Sequence, residues 1–159
     1  MPSAKVLTVS DSVAAGTRVD ESGPALVERL RDGGFDVVGH EIVTDGVAAV
    51  SAALERCARS FEGLVVTTGG TGFAPRDETP EGTLAVLDRR APGLAEAMRR
   101  ASDADGHAFG MLSRGVCGTV GTVLVCNLPG SRRGALECLD VILPALPHAL
   151  ELLVGDTPH

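Results

Sequence analysis

Apolar and polar positions follow two alternating kinds of pattern along this chain. Four runs are short, continuous and rich in β-branched residues, which is typical of buried β-strands. They comprise residues 5–10, 35–43, 63–69 and 121–129. Between them, apolar residues recur at steps of three and four positions, which is typical of one face of an α-helix. The pattern therefore predicts strands that alternate with helices.

Three helices can be delimited by their end signals. The segment 24–35 starts near Pro24 and stops at the sequence DGG, which predicts a proline at the first helical position and a glycine just beyond the last. A second helix is predicted within 46–61 from the three- and four-residue apolar steps. A third is predicted in TPEGTLAVLDRR, with Thr79 as its N-cap and Pro80 as its first helical residue.

The C-terminal part of the chain carries six leucines with helical spacing. They are Leu136, Leu139, Leu143, Leu146, Leu150 and Leu153. Because proline breaks helical hydrogen bonding, Pro144 and Pro147 are expected to kink or split this helix. We interpret the leucine row as part of the core, with a subunit interface as the alternative.

Strands that alternate with helices indicate βαβ crossovers and a mostly parallel sheet. In such α/β sheets, ligands bind outside the carboxyl ends of the strands. Four polar or glycine-rich stretches directly follow the predicted strands and are expected to meet along one rim. They are SDSVAAG at 10–16, TDG at 44–46, TTGGTG at 67–72 and NLPGS at 127–131.

Composition narrows the class of protein. The chain has 159 residues, so residues 1–159 are expected to form a single domain. A net charge of −7 and only four aromatic residues argue against a nucleic-acid-binding protein. No apolar stretch is long enough to cross a membrane, and no secretory signal is present, so we expect a cytoplasmic protein.

Two residue types that often carry chemistry are assigned no role here. The four cysteines lie in apolar surroundings without metal-ligand spacing and are expected to be reduced core thiols; they are Cys57, Cys117, Cys126 and Cys138. The histidines have no matched partners in the sequence pattern; they are His40, His107, His148 and His159.

The glycine-rich loop at 67–72 matches neither common nucleotide-binding motif. No lysine follows the glycines, as a Walker A loop requires, and Pro75 occupies the place of the last glycine of a dinucleotide fingerprint. Glycines nevertheless allow successive backbone N–H groups to point at an anion, and NLPGS at 127–131 has the same character at the start of a predicted helix. Two tight turns without a ligand are the alternative.

Taken together, these motifs resemble a known family. The combination of SDS…G…D.SGP.L at 10–26, TTGGTG…RD.TPE.T at 67–83, LSR at 112–114 and NLPGS at 127–131 is similar to the molybdopterin adenylyltransferase (Mog/MoaB) family. The resemblance covers nearly the whole chain. It implies a three-layer α/β fold, with helices on both faces of a mostly parallel sheet, that usually forms a homotrimer. It also implies a reaction in which ATP and molybdopterin, with Mg²⁺, give adenylylated molybdopterin and pyrophosphate. A separate molybdate-insertion protein then inserts molybdate into the product.

The resemblance also implies roles for individual residues. Asp45 and Asp77 correspond to the essential carboxylates and are the expected Mg²⁺ ligands. The residues expected to bind the pterin, its phosphate and ATP are Ser10, Asp11, Ser12, Thr68, Gly69, Gly70, Thr71, Gly72, Arg76, Ser113, Arg114, Asn127, Pro129, Gly130 and Ser131. Arg76 and Arg114 are the expected neutralisers of phosphate oxygens, whereas Arg132 and Arg133 are interpreted as solvated surface.

Alternatives remain open for both the aspartates and the protein. Asp45 and Asp77 each lie just before a predicted helix, so helix capping is a competing role for either. The protein could also be a non-catalytic molybdopterin-binding or scaffold protein, or a nucleotide pyrophosphatase of the same fold. The molybdate-insertion step itself is disfavoured because those proteins carry additional domains.

Overall fold

The computed structural model describes residues 1–103 and 110–156. Within these residues, strands and helices alternate for most of the chain. The strands are β1 Ser3–Val9, β2 Asp36–Val43, β3 Gly63–Thr68, β4 Arg89–Arg90, β5 Cys117–Val120 and β6 Val123–Leu128. The helices are α1 Asp11–Ala14, α2 Ser22–Asp32, α3 Val47–Ala58, α4 Thr79–Leu84, α5 Pro92–Asp103, α6 Arg132–Ile142 and α7 Leu146–Leu153, with 3₁₀ turns at Gly110–Leu112 and Leu143–Ala145.

In the described part of the chain, the strands form one mixed sheet in the order β2-β1-β3-β6-β5-β4. Strands β2, β1, β3 and β6 are parallel to one another. At the other edge, β5 pairs with β6 in antiparallel orientation, and β4 pairs with β5 in the same way. The expectation of a mostly parallel α/β sheet is therefore confirmed. The carboxyl ends of the four parallel strands lie side by side, which creates the rim on which the polar segments follow.

Alternating side chains of the strands face two hydrophobic layers. In β3, Leu64 and Val66 pack with α2, α5, α6 and α7, whereas Val65 faces the opposite layer with α3. Successive side chains of a strand point to opposite faces, so a strand buried on both sides must be apolar throughout. The three-layer arrangement follows, with helices on both faces of the sheet. Among the described residues, no helix is long and apolar enough to cross a membrane.

The predicted helix ends agree with the structure only in part. Helix α2 stops at Asp32, and Gly34 after it has a φ of +87°, as the glycine signal indicates. Pro24 is the third helical residue, not the first, because α2 starts at Ser22. Thr79 is not the N-cap of α4: Glu78 occupies the cap position, and Thr79 is the first helical residue.

The leucine-rich segment is split as its prolines predict. A 3₁₀ turn that contains Pro144 separates α6 from α7. Leu139, Leu146 and Leu150 are buried in the larger hydrophobic layer, so the interpretation as core is confirmed. The four cysteines are also buried and free, as expected.

Several elements do not follow from the sequence pattern. They are α1, β4, α5, β5 and the turn at Gly110–Leu112. In addition, the helix predicted to run through TPEGTLAVLDRR ends at Leu84, and its last residues belong to β4.

Candidate active site

The four polar and glycine-rich stretches meet at the carboxyl ends of the parallel strands, as predicted. Contacts join the segments in pairs across the rim. The backbone N–H of Asp11 donates to Asp45 Oδ2 (2.9 Å), and the hydroxyl of Thr68 donates to the carbonyl of Pro129 (2.7 Å). These bonds connect the end of β1 to the end of β2, and the end of β3 to the turn after β6.

Asp11 and Asp45 hold each other in place by two reciprocal hydrogen bonds. The N–H of Asp45 donates to Asp11 Oδ1 (3.1 Å), in return for the bond from Asp11 N–H to the Asp45 carboxylate. Arg76 binds both oxygens of Asp11 (Nε–Oδ2 3.0 Å, Nη2–Oδ1 3.2 Å) and the carbonyl of Asp45 (2.9 Å). An ionised carboxylate only accepts hydrogen bonds, so the side chain of Asp11 fixes Asp45 and Arg76.

The two neighbouring carboxyl groups have pKa values shifted in opposite directions. Burial raises the pKa of Asp45 above its ordinary value, and the negative charges of Asp11 and Asp77 raise it further. The hydrogen bond from Arg76 is the main cause that lowers the pKa of Asp11. The ionised form of Asp45 is therefore held at a cost, which a bound cation would offset.

Neither Asp45 nor Asp77 caps the helix that follows it in the sequence. The cap position of α3 is Gly46, and the N–H of Val47 is bound by Glu78 Oε2 (3.0 Å) from a different segment. The carboxylate of Asp77 accepts from the N–H of Ala74 (3.1 Å), within its own loop. The capping alternative is therefore wrong for both aspartates.

The carbonyl groups of the glycine-rich loop are bound by the protein. Thr79 donates from its hydroxyl to Gly69 O (2.9 Å) and from its N–H to Gly70 O (3.1 Å). Arg114 donates from its N–H to Thr71 O (2.9 Å) and from Nε to Gly72 O (2.7 Å). The four consecutive carbonyl groups of 69–72 thus point into protein donors.

The N–H groups of the same loop are left for a ligand. Among the described residues, no protein acceptor binds the N–H groups of residues 70–73. Gly69 and Gly70 have φ values of +103° and +68°, which allow the chain to turn its N–H groups to one side. Successive N–H groups with this arrangement form an anion-binding concavity.

The space beside the loop glycines is already occupied by polar side chains. A Cβ on Gly70 would collide with Thr79 Oγ1 and lie 2.9 Å from Asp45 Oδ1. A Cβ on Gly72 would lie 2.9 Å from Asp77 Oδ2. Both carboxylates therefore lie close to the loop that presents the free N–H groups.

Two clefts open on this rim and meet at Ser131. The first, of about 410 Å³, is the carboxylate cleft; its predicted residues are Ser10, Asp45, Thr68, Gly69, Gly70, Asp77, Gly130 and Ser131. The second, of about 460 Å³, lies between α5, α6 and the glycine-rich loop and is the interhelical cleft. Its predicted residues are Thr71, Gly72, Ser113, Asn127, Pro129 and Ser131.

Four residues expected to bind substrate line neither cleft; they are Asp11, Ser12, Arg76 and Arg114. Two other residues that were expected to bind substrate form side-chain hydrogen bonds within the protein. Asn127 donates to the hydroxyls of Thr67 and Thr83 (both 3.0 Å) and accepts from the N–H of Val116 (3.1 Å). Asn127 therefore joins β3, α4 and the start of β5. Ser10 caps α1 by accepting from the N–H of Val13 (3.2 Å).

Some residues of the site do not follow from the sequence. Asp20, in the carboxylate cleft, accepts from the N–H of Gly23 (2.9 Å) and from the hydroxyl of Thr8 (2.8 Å), and lies 3.2 Å from His40 Nε2. The statement that the histidines lack partners is wrong for His40, and for His148, which lies 3.6 Å from Glu151. His107 and His159 lie outside the described residues. Asp20 lies three residues before Gly23, which is the spacing of a side chain that caps a helix N-terminus, so the sequence contains a signal for its position.

A magnesium ion would have to be shared between the protein and its substrate. Within residues 1–103 and 110–156, no three His, Cys, Asp or Glu side chains form a metal-binding group. Asp45 and Asp77 line the same cleft, and their charges interact. Mg²⁺ is commonly held by one or two carboxylates and substrate phosphates, so this donor set fits the ion.

The fold is that of an α/β protein with a mostly parallel sheet, and free N–H groups in a glycine-rich turn on its rim are typical of anion-binding sites. Comparison with known proteins then identifies the family. The sequence profile described as "Probable molybdopterin binding domain" matches residues 5–148. The chain belongs to this family, and the resemblance to the Mog/MoaB proteins is confirmed.

Named relatives and solved structures agree with this assignment. Molybdopterin adenylyltransferase of Helicobacter pylori is 36% identical, over 95% of this chain and 87% of its own length. Gephyrin of Dictyostelium discoideum is 37% identical over 93% of this chain, which spans 22% of gephyrin and less than half of two further curated relatives. The crystal structure of the molybdopterin biosynthesis enzyme MoaB from Thermus thermophilus is 44% identical, with a TM-score of 0.89, over 98% of each chain.

Proposed function

We propose that this protein transfers the adenylyl group of ATP to molybdopterin, releasing pyrophosphate, in molybdenum cofactor biosynthesis. The observation that carries the proposal is the row of free N–H groups at 70–73 beside Asp45 and Asp77. The relative from Helicobacter pylori, which bears the name of this activity, matches nearly the whole chain.

The reaction joins two anions, so its main requirement is charge compensation. An oxygen of the terminal phosphate of molybdopterin attacks the α-phosphorus of ATP, the bond to the β-phosphate oxygen breaks, and pyrophosphate leaves. No protein nucleophile is required, and positioned donors supply most of the rate. In this proposal the N–H groups of 70–73 bind the phosphate of molybdopterin, and the turn at 129–131 binds a second anionic group.

The two carboxylates are proposed to act on the ATP side of the reaction. Asp45 and Asp77 would hold Mg²⁺, which neutralises the polyphosphate and helps the pyrophosphate leave. Asp11 and Arg76 keep the carboxylate of Asp45 oriented by the hydrogen bonds described above. The raised pKa of Asp45 supports this role, because a group ionised at a cost gains from a cation.

The pterin is proposed to occupy the interhelical cleft and ATP the carboxylate cleft. Ala95, Met98 and Leu112 give the interhelical cleft apolar walls, and Ser102 and Ser113 add hydroxyl groups. Such a mixture suits a flat heterocycle. The carboxylate cleft is charged and contains both proposed metal ligands.

The decisive experiment incubates purified protein with molybdopterin, ATP and Mg²⁺ and assays adenylylated molybdopterin and pyrophosphate. We expect both products, and neither when molybdopterin or Mg²⁺ is omitted. Binding of molybdopterin without turnover would identify a non-catalytic binding protein instead. Release of AMP and pyrophosphate without molybdopterin would identify a pyrophosphatase.

We further propose a cytoplasmic homotrimer that passes its product to a molybdate-insertion protein. The family resemblance carries this proposal. It is supported by exposed apolar side chains on the edge strand β2, where Val38 and Ile42 are 52% and 44% exposed. Light scattering coupled to size exclusion tests the oligomer: three times the monomer mass of 16.3 kDa is expected, and a monomer at micromolar concentration would contradict it.

A further inference from the structure

We infer that Arg114 is a positioning residue that clamps the glycine-rich loop around Asp77, not a ligand of phosphate. Its guanidinium donates to Gly72 O from Nε (2.7 Å) and to Asp77 O from Nη2 (2.5 Å), and Nη1 binds the carboxylate of Glu81. This inference deepens the proposed function and rests on it for its catalytic consequence only.

The two carbonyl groups that the guanidinium of Arg114 binds delimit the segment 72–77. This segment contains Arg76, which reaches across to Asp11 and Asp45, and it ends at Asp77 itself. Inside the segment, the carboxylate of Asp77 accepts from Ala74 N–H, so its orientation depends on the shape of the turn. The clamp therefore fixes the backbone of Asp77 and that of Arg76, which in turn binds the carbonyl of Asp45.

The same residue also fixes the direction of two of the four free N–H groups. Its own N–H binds Thr71 O, next to the bond from Nε to Gly72 O. Because C=O and N–H point in opposite directions in a trans peptide, the N–H groups of residues 72 and 73 face away from Arg114. The N–H groups of residues 70 and 71 are directed in the same way by Thr79, which binds Gly69 O and Gly70 O. Loss of the clamp would let the peptide planes rotate and would disperse the anion-binding donors.

A role as phosphate ligand conflicts with this geometry. Each of the three guanidinium nitrogens already has a protein acceptor, and Arg114 lines neither cleft. These bonds use three of the five N–H donors of the guanidinium, and a phosphate in either cleft could reach the other two only if the side chain moved away from Glu81 or the loop. The planar guanidinium of arginine can donate to three acceptors in different directions, whereas the ammonium group of lysine would offer a single point charge.

The test uses Arg114→Lys and Glu81→Gln, with Arg31→Lys, an exposed residue of α2, as matched control. Amide hydrogen exchange is measured first on the ligand-free proteins. In Arg114→Lys we expect faster exchange of the bonded N–H groups in residues 74–79, unchanged exchange in β1 and β3, and a smaller increase in Glu81→Gln. The control should match the parent throughout.

Parental exchange at 74–79 in a folded Arg114→Lys protein would overturn the inference. If that variant does not fold, Glu81→Gln decides: an increase confined to this segment supports the clamp, and no change overturns it. Because these measurements use no substrate, they stand even if the proposed activity fails.

Kinetics separate positioning from phosphate binding. Displacement of the loop by about 1 Å should lower kcat by about 10²-fold in Arg114→Lys. The KM for ATP should change little, whereas the KM for molybdopterin should rise because the loop N–H groups move as well. A large increase in either KM at parental kcat, with unchanged loop exchange, would show instead that Arg114 binds a substrate phosphate.

Discussion

The carboxylate cleft and the interhelical cleft share Ser131 but are built from different kinds of structure. The first is made of turns that directly follow parallel strands, and it presents carboxylates and backbone groups. The second is walled by side chains of α5 and α6, several of them apolar. The difference suits two unlike substrates, one a polyphosphate and the other a heterocycle with a single phosphate.

The contrast also separates chemistry from recognition. Carboxylates that face phosphates affect the transition state, whereas apolar helix walls affect binding in the ground state. Variants in the two clefts should therefore have different kinetic signatures if the proposed division is correct.

The largest expected effect comes from Asp77→Asn and Asp45→Asn in the carboxylate cleft. Asparagine keeps an oxygen to accept from Ala74 N–H or Asp11 N–H, respectively, but lacks the charge that holds Mg²⁺. We expect turnover to fall by about 10²-fold or more, with melting temperature close to the parent and molybdopterin still bound.

The matched control for these two variants is Asp32→Asn, at the exposed end of α2. It should leave turnover unchanged. Parental turnover in both Asp77→Asn and Asp45→Asn would show that the carboxylates are structural and that the clefts do not divide chemistry from recognition.

The next effect concerns the loop between the clefts. Gly70 would be strained by any side chain because its φ is +68°, whereas Gly72 has an ordinary φ, so Gly72→Ala tests space alone. The added methyl group would lie 2.9 Å from Asp77 Oδ2, so either this carboxylate or the loop with its N–H groups would have to shift. We expect molybdopterin affinity to fall by about tenfold, or ~1.4 kcal/mol.

Gly93→Ala is the control for this substitution, because nothing lies within 4 Å of a Cβ at that position of α5. Molybdopterin titrations and melting temperatures compare the two variants. Unchanged affinity in Gly72→Ala would mean that the loop is only a turn.

The carboxylate cleft was largely predictable from sequence, and the interhelical cleft was not. The first follows from strand ends, because hydrophobic runs locate parallel strands and their ends must share a rim. The second depends on α5, whose segment 92–103 was not recognised as a helix, and on its packing against α6. Arg99, which lines the cleft and donates to Gly115 O (2.9 Å), was missed for that reason.

Long-range hydrogen bonds account for the other differences. Glu78 binds the N-terminus of α3 although it lies 31 residues away in the sequence. Local patterns therefore suggested capping by Asp45, which is instead bound to Asp11. Arg114 was expected to bind phosphate because nothing in the sequence reveals that its guanidinium is bound to the carbonyl groups of the loop.

A smaller effect should separate Arg132 from Arg133. Both are exposed at the start of α6, as the interpretation as solvated surface predicts, but that interpretation is incomplete because Arg132 lines the carboxylate cleft and Arg133 the interhelical cleft. We expect Arg132→Gln to raise the KM for ATP and Arg133→Gln to raise the KM for molybdopterin, each by about three- to tenfold, the size of a typical net hydrogen bond at an exposed position. Equal changes of the same KM in both variants would contradict the division between the clefts.

The smallest effect is the pH dependence of stability at the paired carboxyl groups. The pKa of Asp45 is raised above its ordinary value of 3.8, mainly by burial, so its stabilising contribution is present at low pH and is lost as pH rises through the folded pKa. The pKa of Asp11 is lowered by Arg76, so its contribution is present above the ordinary value and is lost as pH falls through the folded pKa. Without Mg²⁺ at neutral pH, Asp45→Asn should therefore raise the melting temperature slightly, whereas Asp11→Asn should lower it. The Asp45→Asn difference should shrink as pH falls through the raised pKa of Asp45 towards the ordinary value of 3.8, whereas the Asp11→Asn difference should shrink only below 3.8, as pH falls through the lowered pKa of Asp11. Thermal melts from pH 3 to 8 measure this, and a lower melting temperature for Asp45→Asn at neutral pH would show that its hydrogen bonds to Asp11 outweigh the cost of burying its charge.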